Sequence, residues 1–326
     1  MHRRHARSMH TLDGQPWRDQ IILSREISTP GERNAFYSAV RRGHFVALHR
    51  GAFVATSMWE SLDQDARYRA RILAAAAGSS RDAVVSHDSA GALWRLPTVG
   101  EWPAKIHVTE SRAAGGTSSQ LFERHTIGLP DRESLIQGVR VTELARTVID
   151  IASTRPFATS VAVADAALRR TTDPHPDVPR TFLSLGELRA ELELLPVNRG
   201  SVKARRVVEF ANGLADRPGE SLSRVAIHQL GLTPPELQVR LQGASGRWYV
   251  VDFWWPEFNH IGEFDGQHKY SDPRFLRGRT PHQALLDEKF REDDLRAAPH
   301  GMSRWGWDVA RSAPRLRALL VAAGIR

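Results

Sequence analysis

The chain contains no cysteine. Disulfides, zinc–thiolate sites and thiol nucleophiles are therefore excluded. The absence fits a cytoplasmic protein. Lysine is scarce: Lys105, Lys203, Lys269 and Lys289 are the only four among 45 basic residues. No apolar run approaches the ~20 residues that span a bilayer, so no membrane association is expected. The first ten residues, MHRRHARSMH, are basic but lack the apolar stretch of a secretory signal. Residues 1–19 read as a flexible basic tail.

What is present is arginine, on a chain of 326 residues with a formal net charge of +8. The length fits two or three domains, and 41% apolar residues are enough for real cores. Arginine's planar fork suits phosphate, so the basic balance points toward a nucleic-acid partner. A GC-rich coding sequence would also favour arginine over lysine, and charge alone does not separate the two.

Periodicity divides the chain into α/β (α+β) segments. "ERNAFYSAVRRG" has helical spacing through Val40 and stops at Gly43. "FVALHRGAFVA" then reads as two short strands turning at His49-Arg50-Gly51. Helix, glycine and hairpin form the tail of a winged helix-turn-helix over residues 20–60, or a generic small element of that shape. Over 61–195, "ARYRARILAAAAG" reads as a helix, "AVVSH" as a strand, "DSAGALWRL" as a helix and "KIHVTES" as a strand. "VRVTELARTVIDIAST" continues the mixture, with Thr142 placed to cap a helix. Residues 158–195 are alanine-rich and helical apart from "TTDPHPDVP" (171–179), a proline break. Residues 196–215 read as a linker.

Residues 216–326 are the most legible. "GESLSRVAIHQLGL" is a helix stopping at Gly231. "LQVRLQ", "WYVVDFWWP" and "HIGEFDG" are three strands. "HQALLDEKFREDDLRAA" is a long charged helix, "GMSRWGWDVA" holds a last strand, and "APRLRALLVAAG" closes the chain as a helix. Trp254, Trp255, Trp305 and Trp307 read as core or wall residues.

Asp252 lies in an apolar strand, Glu263 in the next strand, and Asp265 two residues on, sharing a strand face with Glu263. Buried carboxylates on adjacent strands are costly unless neutralised, and a hard divalent cation does this well. A lone strand-end carboxylate is more often paired with an arginine.

Taken with Glu220 in "PGES", Asp252 in "VDFWWPE", Glu263 and Asp265 in "GEFDGQHKY" and Lys289 in "EKFREDDLR", the arrangement resembles the PD-(D/E)XK endonuclease superfamily, in its very-short-patch-repair-like branch. The resemblance covers about residues 216–311 and implies a restriction-endonuclease-like core. It implies that Asp252 and Glu263 hold magnesium, with manganese as a substitute. Glu220 would be an auxiliary ligand or would orient a water. The superfamily's lysine two residues after the glutamate is replaced here by Asp265, and Lys289 is the candidate stand-in. His268 and Lys269 follow the turn, where they either meet phosphate or sit in a solvated loop. Arg304, beside Trp305, either binds phosphate or packs with an ion pair.

The segments "YSAVRRGHFVALHRGAFVA", "VVSHDSAGALWRLP", "KIHVTES" and "VRVTELARTVIDIA" resemble AbiEi-like abortive-infection antitoxins of type IV toxin–antitoxin systems. That resemblance implies DNA binding, with Arg41, Arg42, His49 and Arg50 near phosphate, and a partner toxin. Ser86, His87 and Asp88 are consecutive and cannot converge as a catalytic triad. His87 reads as a packed or capping histidine. The whole chain therefore reads as a DNA-binding protein with a metal-dependent DNA-hydrolysing domain, or as an antitoxin-like transcriptional regulator whose nuclease-like domain is idle.

Overall fold

The computed structural model describes residues 20–78, 83–110, 119–125, 132–169, 178–266 and 280–326. No helix among them is long and apolar enough to cross a membrane. The chain divides into two compact units. The first holds residues 1–96, 100–151 and 174–181, and the second holds 97–99, 152–173 and 182–326.

In the first unit, helix α1 (Pro30–Arg41) begins at a capping box. The Thr29 hydroxyl accepts from Glu32 N and the Glu32 carboxylate accepts from Thr29 N, with proline at the first helical position. Strands β2 (Phe45–His49) and β3 (Ala52–Ala55) pair antiparallel across the turn at Arg50 and Gly51. Gly51 has φ +86°, a conformation that glycine adopts without strain. Strand β1 (Ile22–Leu23) joins the other edge of β3. The expected helix and hairpin are both present, and α2 (Thr56–Ser61) and α3 (Gln64–Gly78) follow.

A second, mixed sheet comprises β4 (Val84–Val85), β5 (Ile106–Thr109), β6 (Phe122–His125), β7 (Glu133–Ile136) and β8 (Val139–Thr142), in the order β6-β5-β4-β8-β7. Helix α4 (His87–Leu93) is buried along its whole length. The Trp94 indole after it donates to Thr142 O at 2.9 Å. Thr142 ends β8 and its hydroxyl meets that of Thr147 at 2.7 Å. It is not the cap of α5 (Leu144–Thr154), which starts one residue too late.

In the second unit, α6 (Phe157–Arg169), α7 (Leu185–Glu193) and α8 (Arg199–Phe210) form a helical layer. The structure places α8 where the sequence reading expects a linker. Asn198 caps it, and Ala204, Val207 and Val208 form a buried stripe hidden in the sequence by the surrounding arginines. Most of the proline break lies outside the described residues. Asp165 on α6 is fully buried. It accepts from both Arg224 and Ser221 on helix α9 (Pro218–Gln229), at 2.7 and 2.8 Å.

That helix packs on a sheet of order β12-β11-β10-β9. The strands are β9 (Glu236–Gln242), β10 (Trp248–Trp255), β11 (His260–Phe264) and β12 (Gly301–Trp305), antiparallel except β11 with β12. Between β11 and β12 runs α10 (Pro281–Ala297), and α11 (Trp307–Ala310) and α12 (Ala313–Ala322) close the chain. Phe253, Trp255, Phe264 and Trp305 pack against residues of α9 and α12. Val251 and Ile261 pack with Leu295 of α10. Trp255 and Trp305 are core residues, as expected, and their indole N–H groups reach Thr233 O and Ser223 Oγ, both at 2.8 Å.

Candidate functional site

The regular β10–β11 ladder stops at Phe253 and Gly262. One step further Asp252 and Glu263 would face each other, but the backbones do not pair there. Instead Asp252 Oδ2 accepts from Phe264 N at 2.8 Å. The Val250 carbonyl accepts from Arg291 Nη2 at 2.7 Å. Side chains thus satisfy backbone groups that the ladder releases, and the opening holds the carboxylates. On the other edge of β10, Val251 pairs with Val239 and Phe253 with Leu237. Gln238 between them takes φ +52°, a left-handed conformation uncommon for glutamine. Its Nε2 donates to Glu220 Oε2 at 3.1 Å and lies 3.5 Å from Asp252 Oδ1.

Glu220 occupies the first turn of α9 and is 3% exposed. Its Oε2 also accepts from Asp216 N at 2.8 Å. The preceding Gly219 lies against the Phe264 ring so closely that a Cβ would overlap it. Glycine here lets the start of α9 approach β11. Glu263 is 2% exposed and meets Arg291 at 2.7 Å through Oε1 and 3.3 Å through Oε2.

Burial, reinforced by the neighbouring Asp252, raises the Glu220 carboxyl well above the usual range. The same two causes push Glu263 up to about 7, against the pull of Arg291. Asp252 thus lies between two buried glutamates, with Arg291 pulling on Glu263 and Arg217 on Glu220.

The remaining sequence-nominated residues are placed as follows. Asp265 lies just past β11, half-exposed, with Arg304 Nη2 3.5 Å from its carboxylate. Arg304 sits opposite Glu263 in the β11–β12 register. It bridges to Glu288 at 3.2 Å and also to Glu292. Lys289 is exposed on α10. The cation that reaches Glu263 is Arg291, two residues further along that helix. Sequence reading passed over Arg291 because it is one of many charges on α10, and passed over Gln238 because nothing in a strand pattern marks it. Arg41, Arg42 and Arg50 are exposed around α1 and the β2–β3 turn. His49 is half-buried, its Nδ1 3.0 Å from Arg50 O. His268 and Lys269 lie outside the described residues.

The donor set is all oxygen, the type a hard divalent cation takes, and Arg291 already offsets part of its charge. Glu220, Asp252 and Glu263 do not bring three ligand atoms within 4.8 Å of one another; among the described residues only His87, His107 and His125 do so. A cation here would hold Asp252 and Glu263 and keep its remaining positions for water, as magnesium commonly does.

The second unit thus presents a mixed four-stranded sheet with a buried carboxylate cluster where two strands part. No family model matches the chain. Two proteins of Mycobacterium tuberculosis are similar to it: "Uncharacterized protein MT2308" of strain CDC 1551 / Oshkosh and "Uncharacterized protein Rv2248" of strain ATCC 25618 / H37Rv. Each is 28% identical over 199 residues, covering 61% of this chain and 68% of the relative.

Proposed function

We propose that the second unit hydrolyses phosphodiester bonds in DNA with magnesium or manganese, and that the first unit contributes DNA affinity. The observation that carries this reading is the seat of Asp252, fixed by Phe264 N where β10 and β11 part and flanked by two buried glutamates. When bound, the cation would lower the pKa of a water and polarise the phosphate. Asp252 and Glu263 would hold it. Gln238, bonded to Glu220, orients the Glu220 carboxylate toward the same space. Arg291, paired with Glu263, would steady developing negative charge, and it suits that role better than the exposed Lys289. In the first unit, Arg41, Arg42 and Arg50 suit backbone contact. The resemblance to PD-(D/E)XK nucleases and the arginine-rich composition support the same substrate.

Plasmid nicking with Mg²⁺ or Mn²⁺ tests this. Wild type should cut, and Asp252→Ala and Arg291→Ala should each lose most activity. If neither metal supports cutting of duplex, single-stranded or mismatched DNA, the enzymatic reading fails.

One observation favours a second reading. Arg291 already pairs with both oxygens of Glu263 and with Val250 O, which would suit an idle centre held shut by a structural ion pair. The protein would then be an antitoxin-like cytoplasmic regulator with a partner toxin. It would show salt-dependent affinity for DNA, including its own promoter region, without cleavage.

A further inference from the structure

The first unit holds a second cluster, independent of the carboxylates. His87 begins α4, His107 lies in β5, and His125 ends β6, the edge strand of its sheet. One ring nitrogen from each falls within 4.8 Å of the others. His107 Nδ1 and His125 Nε2 are 3.0 Å apart. The His87 and His125 rings stack with centroids 3.6 Å apart and planes 14° from parallel. His87 is 3% exposed, whereas His107 and His125 are half-buried, so the cluster opens on one side.

The geometry points to a transition-metal site in which His87, His107 and His125 supply three imidazole nitrogens to a zinc-class ion. Three arguments carry it. The first is spacing. Nitrogens on a tetrahedral ion with bonds of ~2.0–2.1 Å stand about 3.3 Å apart, close to the His107–His125 separation. The second is the surroundings of His87. Its Nδ1 lies 3.0 Å from Ser86 Oγ and 3.8 Å from Asp150 Oδ2, which leaves Nε2 to coordinate. Asp150 is itself held by Arg146 at 2.8 Å. A carboxylate behind the far nitrogen of a histidine is the usual support for a metal ligand. The third is backbone cost. His87 has φ +50°, unfavourable for a non-glycine residue, and that conformation is kept at the residue whose ring enters the cluster.

The donor chemistry selects the ion. Three imidazoles suit Zn²⁺, Co²⁺, Ni²⁺ or Cu²⁺ and not Mg²⁺, the ion expected of the carboxylates. The in-plane lone pairs of two stacked rings lie in near-parallel planes, which do not meet at one ion between them. Loading therefore requires one ring to tilt, and His125 is the ring at the sheet edge. With three protein ligands, a fourth position is left for water or a small ligand.

The test uses the full chain with His2, His5 and His10 changed to Gln, so that the tail cannot bind metal. After chelator treatment, Co²⁺ and Zn²⁺ are titrated and followed by Co²⁺ visible absorption and calorimetry. With excess Mg²⁺ present to occupy the carboxylates, one Co²⁺ should bind per chain, with the spectrum of a four-coordinate nitrogen-rich site, and Zn²⁺ should displace it. His125→Ala and His107→Asn should each weaken binding by at least about 100-fold. Circular dichroism and thermal unfolding of the metal-free variants show whether they remain folded, and Zn²⁺ should raise the midpoint of the parent only. Asp252→Ala should bind Zn²⁺ like the parent. No binding by the parent, or equal affinity in a folded His125→Ala variant, overturns the assignment.

Discussion

The two units meet the same electrostatic problem with opposite chemistries. In the second, three carboxylates crowd where β10 and β11 part, and burial drives Glu220 and Glu263 toward the protonated form. In the first, three imidazoles crowd beside α4, and burial drives His87 and His125 toward the unprotonated form. Both clusters are thus moved toward neutrality by desolvation. The difference lies in what completes them. The carboxylates have recruited Arg291, and in the proposed reading they hold a hard cation. The imidazoles offer nitrogen donors, which a borderline metal prefers. Burial alone therefore does not identify a ligand; the donor atoms and their counter-charges do.

The largest effect should come from breaking the frame behind the carboxylates. Asp165→Ala would strand Arg224, which is 11% exposed, and should cost the second unit about 3–5 kcal/mol. Denaturant unfolding followed by tryptophan fluorescence checks this, and a loss below 1 kcal/mol would show that the α6–α9 clamp is dispensable. Gly219→Ala should cost less, about 1–3 kcal/mol, because the Phe264 ring must shift. It should also reduce DNA cleavage by displacing Glu220; unchanged activity would detach Glu220 from the site.

A pH series separates the clusters. Without divalent ions, Glu263 titrates near 7 when folded and near 4.5 when unfolded. The folded state therefore binds more protons across that window, and the second unit should lose stability as pH rises from about 4.5 to 7. Glu263→Gln should flatten this dependence in thermal unfolding, and an unchanged slope would remove Glu263 as its source. The smallest effect is expected at Lys289, whose replacement by alanine should shift stability by less than ~0.5 kcal/mol. It should also leave nicking activity intact where Arg291→Ala abolishes it. The reverse ranking would return the basic role to Lys289.

Much of the fold of the second unit was legible because its signals are local. Gly231 stops α9, the apolar strands carry their own pattern, and α10 runs between clear breaks. The α8 stripe was hidden by arginines on its other faces, so residues 196–215 resembled a linker. Asp252 and Glu263 could be nominated because each interrupts an apolar strand, and Glu220 through the resemblance to PD-(D/E)XK nucleases. Their partners could not. Arg291 and Lys289 are both cations on one charged helix, and only packing decides which meets Glu263.

The sequence by itself determined the absence of thiol chemistry, the basic balance, the order of helices and strands over residues 216–326, and the acidic residues Asp252 and Glu263 in apolar strands. Those follow from composition and from periods of two and 3.6 residues, which are properties of a linear string. Tertiary structure alone decided that Arg304 is taken up by Glu288 and Glu292, that Arg291 closes on Glu263, and that His87, His107 and His125 converge. Each of these depends on which strands become neighbours and where a ladder opens. Strand pairing between distant segments leaves no mark at the single positions it brings together.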